Sequence, residues 1–192
     1  EMDAIGAWAG AHGIMVVDDA AHGLDATYRG RPLGTIGDLG TFSFHETKNF
    51  ISGEGGALVV NDPELVARAE IIREKGTNRV QFLKGEVDKY SWVDVGSSFL
   101  PGELVAAFLF AQLEVSDHIT QRRQAIVSYY AHALRPLEER GLLRLPGVPE
   151  HCQHNAHMFY IVVPSADLRS ALIKHLNALG LQAIFHYVPL HS

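Results

Sequence analysis

A single cysteine, Cys152, stands in this chain of 192 residues, so no disulfide can close within it, and that scarcity suits a reducing compartment. Basic residues are in deficit. The 16 Lys and Arg face 22 Asp and Glu, for a net charge of −6, whereas a general nucleic-acid binder carries the opposite imbalance on one face. Nucleic acid is therefore not an expected partner. No apolar run is long enough to span a bilayer and no signal peptide is visible, so the expectation is a cytoplasmic protein with no membrane partner. Internal repeats and low-complexity tracts are also missing. Histidine is not scarce, at 11 residues, but His151, His154 and His157 lack an acidic or cysteine partner at metal-site spacing, and no metal site is expected.

What is present is the composition of a packed enzyme domain, 47% hydrophobic and 20% charged. A chain of this length can bury one sizeable core, or one core with a smaller appendage. Met2 to His12 reads as a helix feeding a strand. Ile14 to Asp18 is a continuous apolar run ending in acid, which predicts a strand buried on both faces of a parallel sheet, with Asp18 and Asp19 at its carboxyl end. Tyr28 to Asp38 is rich in Gly and Pro and reads as loop or short hairpin. Thr41 to Phe44 predicts a second buried strand, after which the polar stretch through Asn49 must turn. Ala57 to Val60 predicts a third strand, and Pro63 to Lys75 a helix with Pro in its first turn. Thr77 to Ser98 has no period and reads as a long, functional loop. Helices are expected over Glu103 to His118 and Ile119 to Arg140. A strand (Met158 to Val163), a helix (Ala166 to Leu179) and a strand (Leu181 to Tyr187) follow. The domain boundary is placed in the second of those helices, giving 1–125 and 126–192.

Asp19 and Lys48 thus stand at the exits of two predicted strands, on the edge where α/β folds keep their ligands. Pyridoxal 5′-phosphate requires such a pair. Its aldehyde needs a lysine with which to form a Schiff base, and its ring nitrogen needs a carboxylate that keeps it protonated. Ser43, just upstream, could offer a hydroxyl to the phosphate. A salt bridge at the sheet edge explains the same spacing, and spacing alone leaves both readings open.

Several segments together carry a resemblance. Val16-Val17-Asp18-Asp19-Ala20-Ala21-His22, the Tyr28-Arg29-Gly30-Arg31 hairpin with Gly34 to Asp38, Thr41 to Asn49, Gly53 to Gly56, and His186 to His191 resemble the DegT/DnrJ/EryC1/StrS sugar aminotransferases. The resemblance implies an α/β, aspartate-aminotransferase-like (fold type I) chain. It holds the later part of the large cofactor-binding domain (1–125) and the first part of the small C-terminal domain (126–192). It makes Lys48 the Schiff-base lysine, Asp19 the partner of the pyridine nitrogen, His22 a neighbour of the phenolic oxygen and Ser43 a phosphate ligand. Where many members place a Gly-x-Asn-x-Arg stretch that reaches the partner's phosphate, this chain reads Gly96-Ser97-Ser98-Phe99-Leu100, so Ser98 replaces the Asn. His186 and His191 fall on a resembling segment without an assigned role. Glu1 in place of an initiator Met, and a last segment that stops on a strand exit, give the expectation of further chain on both sides.

The implied activity is transfer of an amino group from L-glutamate to the C4 ketone of a nucleotide-linked 4-keto-6-deoxyhexose, in a homodimer with shared sites. Transamination at a 3-keto sugar is the near alternative. Sugar dehydratases of the same fold carry histidine where this chain has Lys48, and a regulator that binds the cofactor or a sugar without turnover is the alternative outside enzymes. Arg29, Arg31, Lys75 and Arg79 are the expected cationic contacts for the substrate's phosphates.

Overall fold

The computed structural model describes residues 1–187 and 190–191; Val188, Pro189 and Ser192, within or beside the last resembling segment, lie outside the described residues. The chain forms two compact units. One comprises Glu1–Ala125 with Val148–His157, the other Ile126–Gly147 with Met158–Ser192. Val148–His157 thus packs with the first unit rather than within the expected second domain. Its strand β6 (Cys152–Gln153) pairs antiparallel with β2 (Thr27–Tyr28), whose other neighbour is β3 (Arg31–Pro32).

In the first unit, α1 (Met2–Ala11) is a helix of small and apolar residues that stops at His12, with Gly13 beyond it at φ +63°, a left-handed position that suits glycine at a helix end. The sheet behind it has three strands, β1 (Val17–Asp19), β4 (Leu39–Ser43) and β5 (Gly56–Val60). β4 lies in the middle, parallel to β1 and antiparallel to β5. The Asp38 carboxylate accepts from the Val16 amide at 2.6 Å, joining the entries of β1 and β4. Gly40 is dictated by packing, because a Cβ there would overlap the Gly34 carbonyl. Contrary to the expectation of a strand buried on both faces, β1 is an edge strand, and Val17 is 58% exposed.

The stretch read as a loop from Thr77 to Ser98 has internal structure. It contains the short helix α3 (Arg79–Leu83), a bridge between Thr77 and Trp92, and an Asn78 side chain that accepts from the Ser91 amide at 2.8 Å. Thr77 and Asn78 are buried. One polar side chain that satisfies a loop amide and a loop carbonyl contributes order that periodicity did not reveal. Before this stretch, a 3-10 turn (Pro63–Leu65) opens onto α2 (Val66–Arg73), the Asp62 carboxylate capping it through the Glu64 amide at 2.9 Å.

Two further helices, α4 (Glu103–Leu113) and α5 (Ser116–Glu139), follow. The second unit contains α6 (Ala166–Ala178), capped by Ser165, whose hydroxyl accepts from the Leu168 amide. The strands expected over Met158 to Val163 and Leu181 to Tyr187 do not form. Val162 makes one isolated bridge to Arg144, and the second run pairs with no strand among the described residues. Apolar alternation describes a surface that can be paired, but a strand exists only where a neighbour lies alongside. Among the described residues no helix is long and apolar enough to cross a membrane.

Candidate active site

Parallel pairing of β1 with β4 brings their carboxyl ends to the same edge, with Asp19 opposite Thr41 in the register. Strand alternation then separates the two adjacent acids. Asp18, half-buried, accepts from the Gly34 amide at 2.6 Å and so holds the turn that covers β4. Asp19 is exposed, and the carboxylate accepts from the Ala21 amide at 3.1 Å. Of the two acids, Asp18 is committed to the fold and Asp19 remains available at the edge.

After Ser43 the chain makes a compact connection back to β5. The Phe44 amide donates to the Gly55 carbonyl at 2.8 Å, the Ser52 amide to the Phe44 carbonyl at 2.7 Å, and the Lys48 amide to the His45 carbonyl at 2.9 Å. Gly53 at φ +85° allows the reversal. Phe50, 1% exposed, anchors the loop in the core. Lys48 is left half-buried, and its amine has no hydrogen-bond or ion-pair partner among the described residues.

His22, Ser43 and Lys48 line one small crevice, together with Asn49, Asn155 and His157. The structure therefore brings together three of the expected site residues. Asp19 stands at the adjoining strand end and does not line the crevice. The Ser43 hydroxyl faces the turn, 3.4 Å from the His45 amide that donates toward it. Ser98 lies apart, exposed and in an isolated bridge to Glu74.

Asn49, Asn155, His157 and Arg123 were not assigned roles from sequence. Asn155, 5% exposed, donates from Nδ2 to the carbonyls of His22 at 2.7 Å and Leu24 at 2.6 Å. Asn49 donates to the Asn155 carbonyl at 2.9 Å, and its Oδ1 lies 3.1 Å from His157 Nδ1. The His157 and His22 rings are stacked with centroids 4.1 Å apart. Arg123 donates to the carbonyls of Ala156 at 3.1 Å and His157 at 2.7 Å, and burial lowers its pKa. The available sequence signal was Asn155-Ala156-His157 itself, the start of a resembling segment whose distant contacts no local pattern shows.

The four cations expected for substrate phosphates are otherwise engaged. Arg29 pairs with Asp3 at 3.0 Å and Arg31 with Asp3 at 2.9 Å, while Lys75 and Arg79 converge on Glu74 at 2.8 and 3.3 Å. The hydrogen bond from Lys75 holds the Glu74 carboxyl below its ordinary range, with Arg79 adding to it against the opposing effect of burial. His151 faces Glu1 at 3.2 Å and His154 accepts from the Ala156 amide. Among the described residues no cluster of His, Cys, Asp and Glu is arranged to hold a metal ion.

The donor set fits pyridoxal phosphate. A half-buried amine without a partner among the described residues can take the aldehyde, an exposed carboxylate on the same sheet edge can take the ring nitrogen, and a hydroxyl at the end of β4 can take a phosphate oxygen.

The family model described as DegT/DnrJ/EryC1/StrS aminotransferase matches residues 1–192. The GDP-perosamine synthase of Caulobacter vibrioides is 32% identical across 100% of this chain and 50% of its own length. The dTDP-3-amino-3,4,6-trideoxy-alpha-D-glucose transaminase of Streptomyces venezuelae is 33% identical across 100% of this chain and 47% of its own. The crystal structure of the aminotransferase TlmJ from Streptoalloteichus hindustanus superposes with a TM-score of 0.85 at 26% identity, covering 98% of this chain and 49% of that one. The chain spans about half the length of the curated relatives it matches. Its α/β fold is that of the fold type I aminotransferases, as the resemblance implied.

Proposed function

The chain belongs to the DegT/DnrJ/EryC1/StrS aminotransferase family, and from that premise we propose that it carries part of the active site of a pyridoxal-phosphate-dependent sugar aminotransferase. The reaction is transfer of an amino group from L-glutamate to the C4 ketone of a nucleotide-linked 4-keto-6-deoxyhexose. The observation that carries the reading is Lys48, a half-buried amine without an ion-pair partner among the described residues, in a crevice with His22 and Ser43 at the edge where Asp19 ends its strand.

Bound there, pyridoxal phosphate supplies an aldehyde that condenses with amines and a ring that accepts electrons when a bond at the amine-bearing carbon breaks. Lys48 holds the cofactor through its Nζ. Released from the cofactor, the same Nζ would be a free amine able to take up and return a proton. The Asp19 carboxylate keeps the ring nitrogen protonated, since a neighbouring negative charge favours the cationic form. Ser43 Oγ donates to the phosphate. His22, which lines the crevice, would neighbour the cofactor's phenolic oxygen. Ser98, exposed and apart from the crevice, is proposed to reach the phosphate of a second copy. Trp92, Val95 and Leu104, 74%, 83% and 88% exposed, support a homodimer that covers these side chains, and a monomeric mass in solution would refute it. The location proposed is cytoplasmic.

The finer reading is a dTDP-4-amino-4,6-dideoxygalactose transaminase that accepts dTDP-4-keto-6-deoxy-D-glucose. It is supported by a resemblance to that enzyme in the segments Phe44 to Asn49, Ile71 to Arg79, Asp88 to Tyr90, Gly96 to Phe99 and Asn155 to Tyr160. A 3-keto substrate is the second reading, favoured by the identity with the Streptomyces enzyme, whose product carries its amino group at C3. The test offers full-length protein, cofactor and L-glutamate a 4-keto and a 3-keto dTDP-sugar separately, with 2-oxoglutarate as the signal. Preference for the 4-keto sugar is the expected result. Preference for the 3-keto sugar overturns the C4 assignment, and no turnover with either overturns the dTDP-sugar reading.

A further inference from the structure

Two loops must be held at a fixed separation for the crevice to work. One leaves β1 and carries His22; the other leaves β4 and carries Lys48. A third segment, Asn155-Ala156-His157, touches both. Asn155 Nδ2 donates to the carbonyls of His22 at 2.7 Å and Leu24 at 2.6 Å, and its own carbonyl accepts from Asn49 Nδ2 at 2.9 Å. The Asn49 amide is thereby oriented. Because its nitrogen donates to Asn155, its oxygen is the acceptor toward His157, so the His157 proton at this contact lies on Nδ1. The other face of that ring stacks on His22, centroids 4.1 Å apart and planes 20° apart.

The segment is itself held rigidly. Asn155 Oδ1 accepts from the His157 amide at 3.1 Å, and Arg123 donates to the two following carbonyls. Ala156 sits at φ +54°, a conformation uncommon outside glycine, Asn and Asp, which puts Asn155 and His157 on the same side of the turn.

We propose that Asn155 and His157 are positioning residues that fix His22 and the Lys48–Asn49 peptide relative to each other, and through them the face and tilt of the bound cofactor ring. This rests on the aminotransferase reading for its chemistry, but not for its geometry. Neither residue is given a catalytic role here: Asn155 spends its side-chain amide on protein groups, and His157 turns Nδ1 to Asn49 and its ring to His22.

Two variants separate the parts of the clamp in full-length protein. His157→Phe keeps a ring on His22 and removes the bond to Asn49; His157→Ala removes both. In the cofactor-free protein, the His22 Cε1 proton resonance reports the stack through the ring current of its neighbour. It moves in His157→Ala and stays close to its original position in His157→Phe. In the loaded protein, His157→Phe weakens pyridoxal phosphate about fivefold, the worth of one net hydrogen bond, and alters the visible circular dichroism band of the bound cofactor, which a change in general stability would not do.

An unmoved His22 resonance in His157→Ala overturns the clamp whether or not the cofactor binds. Wild-type protein that takes up no cofactor refutes the proposed function instead, and the resonance still decides the geometry. Wild-type affinity and an unchanged dichroism band in His157→Phe overturn the role in cofactor placement. If His157→Ala fails to fold, His157→Phe and Asn155→Ser, which gives up the bonds to the His22 and Leu24 carbonyls without burying a charge, carry the same readouts.

Discussion

Asp18 and Asp19 are neighbours in sequence and should fail in opposite ways. Asp18 accepts a 2.6 Å bond from the Gly34 amide in a half-buried position. A charge-assisted bond of that length stabilises by about 1.5–3 kcal/mol, and Asp18→Ala leaves the Gly34 amide without its partner, so the expected loss is about 2 kcal/mol. Asp19 is exposed and its one bond, from the Ala21 amide at 3.1 Å, is kept by an Asn oxygen. Asp19→Asn should therefore change stability by no more than about 0.5 kcal/mol. Its cost is chemical. A neutral amide does not keep a pyridine nitrogen protonated, and turnover should drop by at least about a hundredfold. Urea unfolding and 2-oxoglutarate release on the same two preparations give the comparison. The reasoning is refuted if Asp19→Asn retains wild-type turnover, or if Asp18→Ala unfolds at the wild-type urea concentration.

Lys48→Ala should abolish turnover while the cofactor still binds without a covalent link. Borohydride reduction and peptide mapping of the wild-type protein should place the pyridoxyl label on Lys48, and a label on Lys75 or Lys89 would refute the assignment. Glu74 offers a test of the fold alone. Its carboxyl is held below the ordinary value of 4.5, first by the Lys75 hydrogen bond, so its contribution is complete above that pH and is lost as the pH falls through the lowered folded value. Glu74→Gln should be less stable near neutrality, and its melting temperature should fall less steeply than wild type between about pH 5 and about pH 3. Parallel curves would show that the ion pairs do not stabilise the native state.

The parts of the site visible in sequence are those in which a short apolar run ends on a functional group. Val16-Val17 before Asp18 and Asp19, and Thr41 to Phe44 before Lys48, announce strand exits because backbone geometry repeats over a few residues. Asp19 was chosen over Asp18 by resemblance, but that Asp18 is spent on the turn at Gly34 was not visible, since it depends on that turn folding over β4. The clamp was also hidden. Asn155 reaches His22 across 133 positions, and no local period encodes that. The cations at Arg29, Arg31, Lys75 and Arg79 read alike in the sequence whether they meet a substrate or a carboxylate. The strands expected in the second unit failed for a related reason, because alternation records which side chains are apolar and not whether a partner strand is at hand.

The two sides of the crevice also differ in when they can form. The connection that carries Lys48 joins β4 to the adjacent β5 through the short stretch 44–55, whereas the bonds from Asn155 close loops of 106 positions to Asn49 and 133 to His22. Short closures are fast and cheap in chain entropy, and long ones come late. On the ribosome the reactive lysine would be presented on a finished hairpin while the segment that fixes its surroundings is still untranslated. The nascent chain therefore passes through an interval in which the amine is exposed in a loosely held loop. Cofactor added to such a chain would meet a competent nucleophile before a competent pocket.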